Sequence, residues 1–148
     1  MQLHIIPDIV NDQKLSVLSQ QDTAREAAKQ MAEMDIAAIV VTDDGGKLLG
    51  IVTERDLTRR VIAGNRDADK VTVGEIMTAN PDTLAPGDSA LDALELMRTR
   101  KYRHLPVVDE GRVVGMVSIR DLYAAVKTAL EKDIRETEAF VFGDRYGA

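Results

Sequence analysis

The chain is written twice. Gly50-Ile-Val-Thr53-Glu-Arg55-Asp56-Leu57 returns 65 residues later as Gly115-Met-Val-Ser118-Ile-Arg120-Asp121-Leu122. Upstream, Asp22-Thr-Ala-Arg-Glu-Ala-Ala-Lys-Gln-Met31 returns 66 residues later as Asp88-Ser-Ala-Leu-Asp-Ala-Leu-Glu-Leu-Met97. One residue is therefore missing from the second copy between these blocks. The place expected to lose it is the turn, Asp43-Asp-Gly-Gly46-Lys47 in the first copy and Asp109-Glu-Gly111-Arg112 in the second. Hairpin turns change length without disturbing strand register. Whatever the fold is, it must build one unit twice.

Each unit reads in the same order. Asp22 and Asp88 are helix N-cap candidates. Ala24, Ala27, Ala28 and Met31 match Ala90, Ala93, Leu94 and Met97 at the i, i+3, i+4, i+7 spacing of one buried helix face. Two β-rich runs follow around a Gly turn: Ile39-Val-Val41 with Leu48-Leu-Gly-Ile-Val52, and Leu105-Pro-Val-Val108 with Val113-Val-Gly-Met-Val117. Thr53 and Ser118 can then cap second helices, the first running to about Ala63 and the second well past Ala125. Short strands near Leu15 to Leu18 and Pro81 to Ala85 complete two β-α-β-β-α repeats, an α/β (α+β) fold. A unit of about 60 residues is marginal alone, so the repeats should bury their faces against each other as a pseudo-twofold pair. The boundaries expected are 8–63 for repeat 1, 64–73 for a polar linker, 74–127 for repeat 2 and 128–148 for a C-terminal helix and aromatic tail. Pro7-Asp-Ile9-Val10 also resembles Gly74-Glu-Ile76-Met77, as if each unit carried a lead-in that docks on its partner.

Composition removes several classes of function. No cysteine means no disulfide scaffold, no thiol catalysis and no cysteine-ligated metal, and only His4 and His104 remain for a histidine site, so no metal is expected. A net charge of −6 argues against a broad nucleic-acid surface. No apolar run is long enough to span a membrane, and the opening Met1-Gln-Leu-His-Ile-Ile lacks the basic stretch of a secretory signal, which points to the cytoplasm. There is no G-x-x-x-x-G-K-[ST] loop and no nucleophile-and-base arrangement, so no catalytic residue is assigned and no enzyme is expected.

The doubled phrase is the candidate chemistry. A Thr or Ser followed three residues later by Asp has an ordinary reading as a helix cap, with the acid in the first turn favouring the helix dipole. Its repetition at matching places, after a Gly-containing apolar strand, favours a ligand role as well. A carboxylate such as Asp56 or Asp121 matches the vicinal hydroxyls of a ribose. Thr53 and Ser118 can reach ribose or phosphate, and Arg55 and Arg120 can add charge-assisted bonds to phosphate.

These motifs together resemble a tandem pair of CBS domains, or Bateman module, over about residues 8 to 127: Asp-Thr/Ser-Ala opening the first helix, Leu105-Pro106-Val-Val-Asp109, the Asp/Glu-Gly hairpin and both Gly-h-h-Thr/Ser-x-x-Asp phrases. The resemblance implies a regulatory module that binds adenosine-containing ligands, AMP, ADP or ATP foremost and otherwise NAD or S-adenosylmethionine. It also implies a homodimer, and a protein target in a separate chain. It gives Asp56 and Asp121 the ribose role, puts Thr83 near the base, lets backbone at Pro106 read adenine, and uses Arg103 and His104 for phosphate. A dimerisation scaffold without nucleotide is the rival reading.

Two features break the symmetry. Repeat 2 carries Arg98, Arg100, Lys101, Arg103 and His104 where repeat 1 has Ala32, Met34, Asp35, Ala37 and Ala38. The cleft of Arg103, His104, Ser118, Arg120 and Asp121 should therefore be the stronger anion site, and that of Thr53, Arg55 and Asp56 the weaker. In the tail, Phe140, Phe142 and Tyr146 put three of the chain's five aromatics into its last nine residues. Rings so concentrated should dock, either on the module itself or on a partner subunit.

Overall fold

The computed structural model describes residues 2–145, the last four by their backbone alone. In repeat 1, β1 (Val17–Leu18) leads to α1 (Ala24–Met34), then to the hairpin β2 (Ala38–Thr42) and β3 (Leu48–Thr53). A short helix, α2 (Glu54–Asp56), continues as wide turns through Leu57–Ile62, so the second helix of this repeat is regular only at its start. Next come α3 (Val73–Ile76) and β4 (Thr78–Ala79). Repeat 2 has α4 (Ala90–Arg100), the hairpin β5 (His104–Asp109) and β6 (Arg112–Ser118), and the long α5 (Ile119–Arg145). No helix of the described residues is long and apolar enough to cross a membrane.

The two sheets are built alike. In repeat 1 the order is β1-β2-β3-β4, with β1 parallel to β2 and the rest antiparallel. In repeat 2 the hairpin is flanked on the β5 side by Leu84 alone, in a parallel bridge to Val107, where the sequence predicts a strand over 81–85. Both hairpins shift register at the same place, between Val41 and Thr42 and between Val107 and Val108. The residue missing from the second copy is a turn residue: Thr42 pairs with Leu48, and Val108 with Val113.

Helix capping corrects the sequence reading by one position. The N-caps are Thr23 and Ser89, whose hydroxyls accept the backbone N–H of Glu26 and Asp92. Asp22 and Asp88 close the preceding turns instead, accepting the N–H of Ser19 at 2.9 Å and of Ala85 at 2.8 Å. Of the expected helix face, Ala24, Ala27, Met31, Ala90, Ala93 and Met97 are buried, but Ala28 is exposed and Leu94 only half-buried.

The two cores exchange their lead-ins. Repeat 1 packs Leu18, Ala27, Met31, Ile39, Val41 and Val52 around Val71, Val73 and Ile76, which come from the chain running into repeat 2. Repeat 2 packs Leu84, Ala93, Met97, Leu105, Val107, Val117 and Leu122 around Ile5 and Val10 from the start of the chain. At the free edge of β3 the crossing segment is the strand β4, with Ala79 opposite Gly50. At the equivalent edge of β6 a side chain takes that part: Met116 N–H donates to Gln13 Oε1 at 2.9 Å, and Gln13 Nε2–H donates to the Met116 carbonyl at 3.1 Å.

Candidate functional site

The doubled phrase falls where β3 enters α2 and β6 enters α5. At the first junction Thr53 Oγ1 accepts the Asp56 N–H at 3.2 Å, while Asp56 Oδ2 accepts the Thr53 N–H at 2.9 Å and the Thr53 hydroxyl at 3.1 Å. Asp56 Oδ1 faces Arg60 Nε at 3.8 Å, and the Asp56 side chain is only 14% exposed. Both of its oxygens are engaged.

The second junction is looser. Ser118 Oγ accepts the Asp121 N–H at 3.1 Å, and Asp121 Oδ2 accepts the Ser118 N–H at 3.4 Å. Asp121 is exposed, and its Oδ1 has no partner among the described residues. The two aspartates thus share the capping role and differ in what they leave over for a ligand.

Strand register gathers the other candidates of repeat 2. His104 lies opposite Ser118, and the Ile119 N–H donates to the Arg103 carbonyl at 2.8 Å, so Arg103, His104, Ser118, Arg120 and Asp121 share one end of the hairpin. Leu84 N–H donates to the carbonyl of buried Pro106 at 2.8 Å, which brings exposed Thr83 to the neighbouring edge. The corresponding end of repeat 1 holds Thr53, exposed Arg55 and Asp56, with Ala38 opposite Thr53 and Val17 beside Val40. Arg55, Arg103 and Arg120 are exposed, and none of them forms an ion pair among the described residues.

His104 is half-buried and reports on its surroundings. Burial lowers it below the ordinary imidazole value of 6.5; the carboxylates of Asp121 and Glu54 pull the other way, and Arg103 adds to the lowering. Glu54 belongs to repeat 1, so its charge reaches the repeat 2 histidine and the two junctions feel each other.

One residue escaped the sequence reading. Asp82, next to Thr83, carries a carboxylate oxygen, Oδ2, that is buried without a hydrogen-bond partner. A buried acceptor left unpaired is costly, which marks the position. The available signal was an acid inside the run Pro81 to Ala85, expected to enter a sheet. No group of three or more metal-ligating side chains occurs among the described residues.

Comparison with known proteins agrees with this architecture. The family model described as CBS domain matches residues 6–63 and again 73–128. The mitochondrial CBS domain-containing protein CBSX3 of Arabidopsis thaliana is 35% identical over 126 residues, covering 82% of this chain and 61% of that one. The chain thus spans less than two thirds of that relative's length. A CBS-domain structure from Burkholderia ambifaria MC40-6 superposes with a TM-score of 0.75 at 35% identity, covering 85% of this chain and 93% of that one. The CBS domain pair of protein MJ0100, solved in complex with 5′-methylthioadenosine and S-adenosyl-L-methionine, superposes with a TM-score of 0.72 at 28% identity, covering 80% and 92%.

Proposed function

The chain belongs to the CBS-domain family, with two domains in tandem, and from that premise we propose that it is a regulatory module binding an adenosine-containing ligand, AMP, ADP or ATP foremost. The observation that carries this reading is the clustering of Arg103, His104, Ser118, Arg120 and Asp121 at one hairpin end, with both arginines unpaired and Asp121 Oδ1 available as an acceptor. Arginines of this kind suit phosphate, and a spare carboxylate oxygen suits ribose hydroxyls. Asp82 offers an acceptor that suits the 6-amino group of adenine, and Thr83 and the Pro106 backbone complete the base side. The adenosine ligands of the MJ0100 pair support the same class, with S-adenosylmethionine or NAD as the next candidates.

In repeat 1, Thr53, Arg55 and Asp56 form the weaker site, because Asp56 is committed to Thr53 and Arg60. Occupancy acts by population shift: the ligand prefers one relative arrangement of the two repeats, and a protein partner reads that arrangement. A second reading, a dimerisation scaffold that binds no nucleotide, is favoured by one observation: both aspartates already serve as capping partners within the chain.

Calorimetry separates these readings. With ATP, AMP and S-adenosylmethionine as ligands, Arg103→Ala and Asp121→Ala should each lose about ten- to a hundredfold in affinity for the tightest ligand, and Asp56→Ala far less. Heat of binding from none of the three would favour the scaffold. Retention of ATP binding in Arg103→Ala, with loss in Asp56→Ala, would reverse the ranking of the clefts.

A further inference from the structure

The two lead-ins begin alike and end differently. In repeat 2 the Ala90 N–H donates to the Leu3 carbonyl at 2.8 Å, the Ile5 N–H to the Asp88 carbonyl at 2.9 Å and the Ile6 N–H to the Pro86 carbonyl at 3.0 Å. Repeat 1 makes the same three bonds: Ala24 N–H to the Val71 carbonyl at 2.9 Å, Val73 N–H to Asp22 at 2.7 Å and Gly74 N–H to Gln20 at 3.0 Å. Beyond them the copies part. The segment after Ile76 runs on as β4, with Thr78 and Ala79 paired to Ile51 and Gly50 and the Asn80 N–H donating to the Leu49 carbonyl at 3.2 Å. The segment after Val10 forms no strand. Asn11 to Lys14 are exposed, and among the described residues only the Gln13 side chain of that stretch bonds another part of the molecule, at Met116.

What Gln13 retains is a compact plug. The Val10 N–H donates to the Ile5 carbonyl at 2.8 Å and the His4 N–H to Asp8 Oδ2 at 2.8 Å, so the arm has internal structure of its own. Ile5 and Val10 enter a core that holds Val117 and Leu122, with Ile119 and Val126 at its margin. These residues flank Ser118, Arg120 and Asp121 on β6 and the first turns of α5. The rest of α5 gives no support: every residue from Leu130 to Val141 is exposed, and Phe140, at 74%, does not dock on the module as the sequence leads one to expect of the tail. The arm therefore bears on the junction where the candidate ligand groups sit.

We propose that residues 2–13 form a latch: the Gln13 clip releases, the plug opens as a unit while repeat 1 and its zipped lead-in stay closed, and the β6–α5 junction loosens with it. Openings of this kind take less free energy than global unfolding and fall where few bonds hold a segment. Two hydrogen bonds from one exposed side chain are a weak clip, released by a change of rotamer, whereas β4 is held through its backbone. For the ligand the consequence rests on the binding reading given above: a nucleotide seated on Ser118, Arg120 and Asp121 holds the latch shut.

Amide hydrogen exchange of the full chain, followed residue by residue without ligand, tests this on matched pairs. Corrected for intrinsic rates, Ile5 and Ile6 should exchange at least about tenfold faster than Val73 and Gly74. Gln13→Ala removes both clip bonds at an exposed position. It should quicken Ile5, Ile6 and the junction amide of Ile119, which donates to the Arg103 carbonyl, by about a further tenfold. Val73, Gly74 and Glu54, whose N–H makes the equivalent bond to the Ala37 carbonyl, should not change. Equal protection of the two lead-ins, or a Gln13→Ala chain in which all these amides quicken together, would overturn the latch. With ATP as the probe, calorimetry first establishes binding and its Kd; at about a hundred times Kd, exchange at Ile5 should slow about a hundredfold. ATP that binds without slowing Ile5 would overturn the coupling to the site. If ATP does not bind, the binding reading fails, and the comparison without ligand alone decides the latch.

Discussion

The glycine in the first copy of the phrase is required by a neighbour, and the one in the second copy is not. A Cβ on Gly50 would stand 2.6 Å from Met77 Sδ and 2.7 Å from the Thr78 carbonyl oxygen, because the lead-in of repeat 2 crosses there backbone against backbone. On Gly115 it would meet only side chains, Val10 Cγ1 at 3.0 Å and Gln13 Oε1 at 3.2 Å, which can give way. Gly50→Ala should therefore cost about 1–3 kcal/mol in denaturant unfolding, and Gly115→Ala clearly less. His104 makes a second prediction. Its folded-state pKa lies below the unfolded value near 6.5, so the unfolded chain binds more protons in acid. The associated stability is fully present above that value and is lost as pH falls through the lowered one. Thermal melting of the unliganded protein should decline across this window, and His104→Gln should flatten the decline. A bound phosphate would reverse the preference and draw a proton onto the imidazole. Binding should then tighten from pH 8 towards pH 6, with a heat that depends on the buffer; a pH-independent affinity would remove His104 from the phosphate site.

At the scale of elements, the first helix of each repeat ends identically. Asp35 and Lys101 close α1 and α4 in the left-handed region, at φ 53° and 60°. A side chain pays for that conformation and glycine does not, so Asp35→Gly and Lys101→Gly should each add about 0.5–1 kcal/mol of stability by chemical denaturation. A loss would mean that the side chains contribute contacts of their own. The starts of these helices show why reading by residue type fell one position short. Asp22 and Thr23 are both good cap formers, and preference alone does not rank them. The spacing does: Thr23-Ala-Arg-Glu26 is a complete capping box, with Thr23 N–H donating to Glu26 Oε2 at 3.0 Å and Glu26 N–H to Thr23 Oγ1 at 3.1 Å. The junction capping of Thr53 and Ser118 was legible because the same spacing was read there.

Across the whole molecule, the exchange of lead-ins ties the two cores together. Ile5 and Ile76, each fully buried, fill the core of the repeat to which their own segment does not lead. Ile5→Ala and Ile76→Ala should each cost about 2–4 kcal/mol while unfolding stays a single transition; two separated transitions would show that the cores are independent. The repeat, its succession of elements and the docking of each lead-in were visible in the sequence because they rest on periodicity and on self-similarity. What stayed hidden depends on contacts between distant residues: the Gln13 amide standing in for a strand, Glu54 acting on His104, and the unpaired oxygen of Asp82. None of these has a local pattern. The exchanged lead-ins also have a meaning for protein engineering. A chain severed between Asn65 and Asp67 would yield two fragments, each holding the arm that completes the other, so neither half is a transplantable module. Supplied together they form a natural split pair, able to report on the meeting of whatever is fused to them.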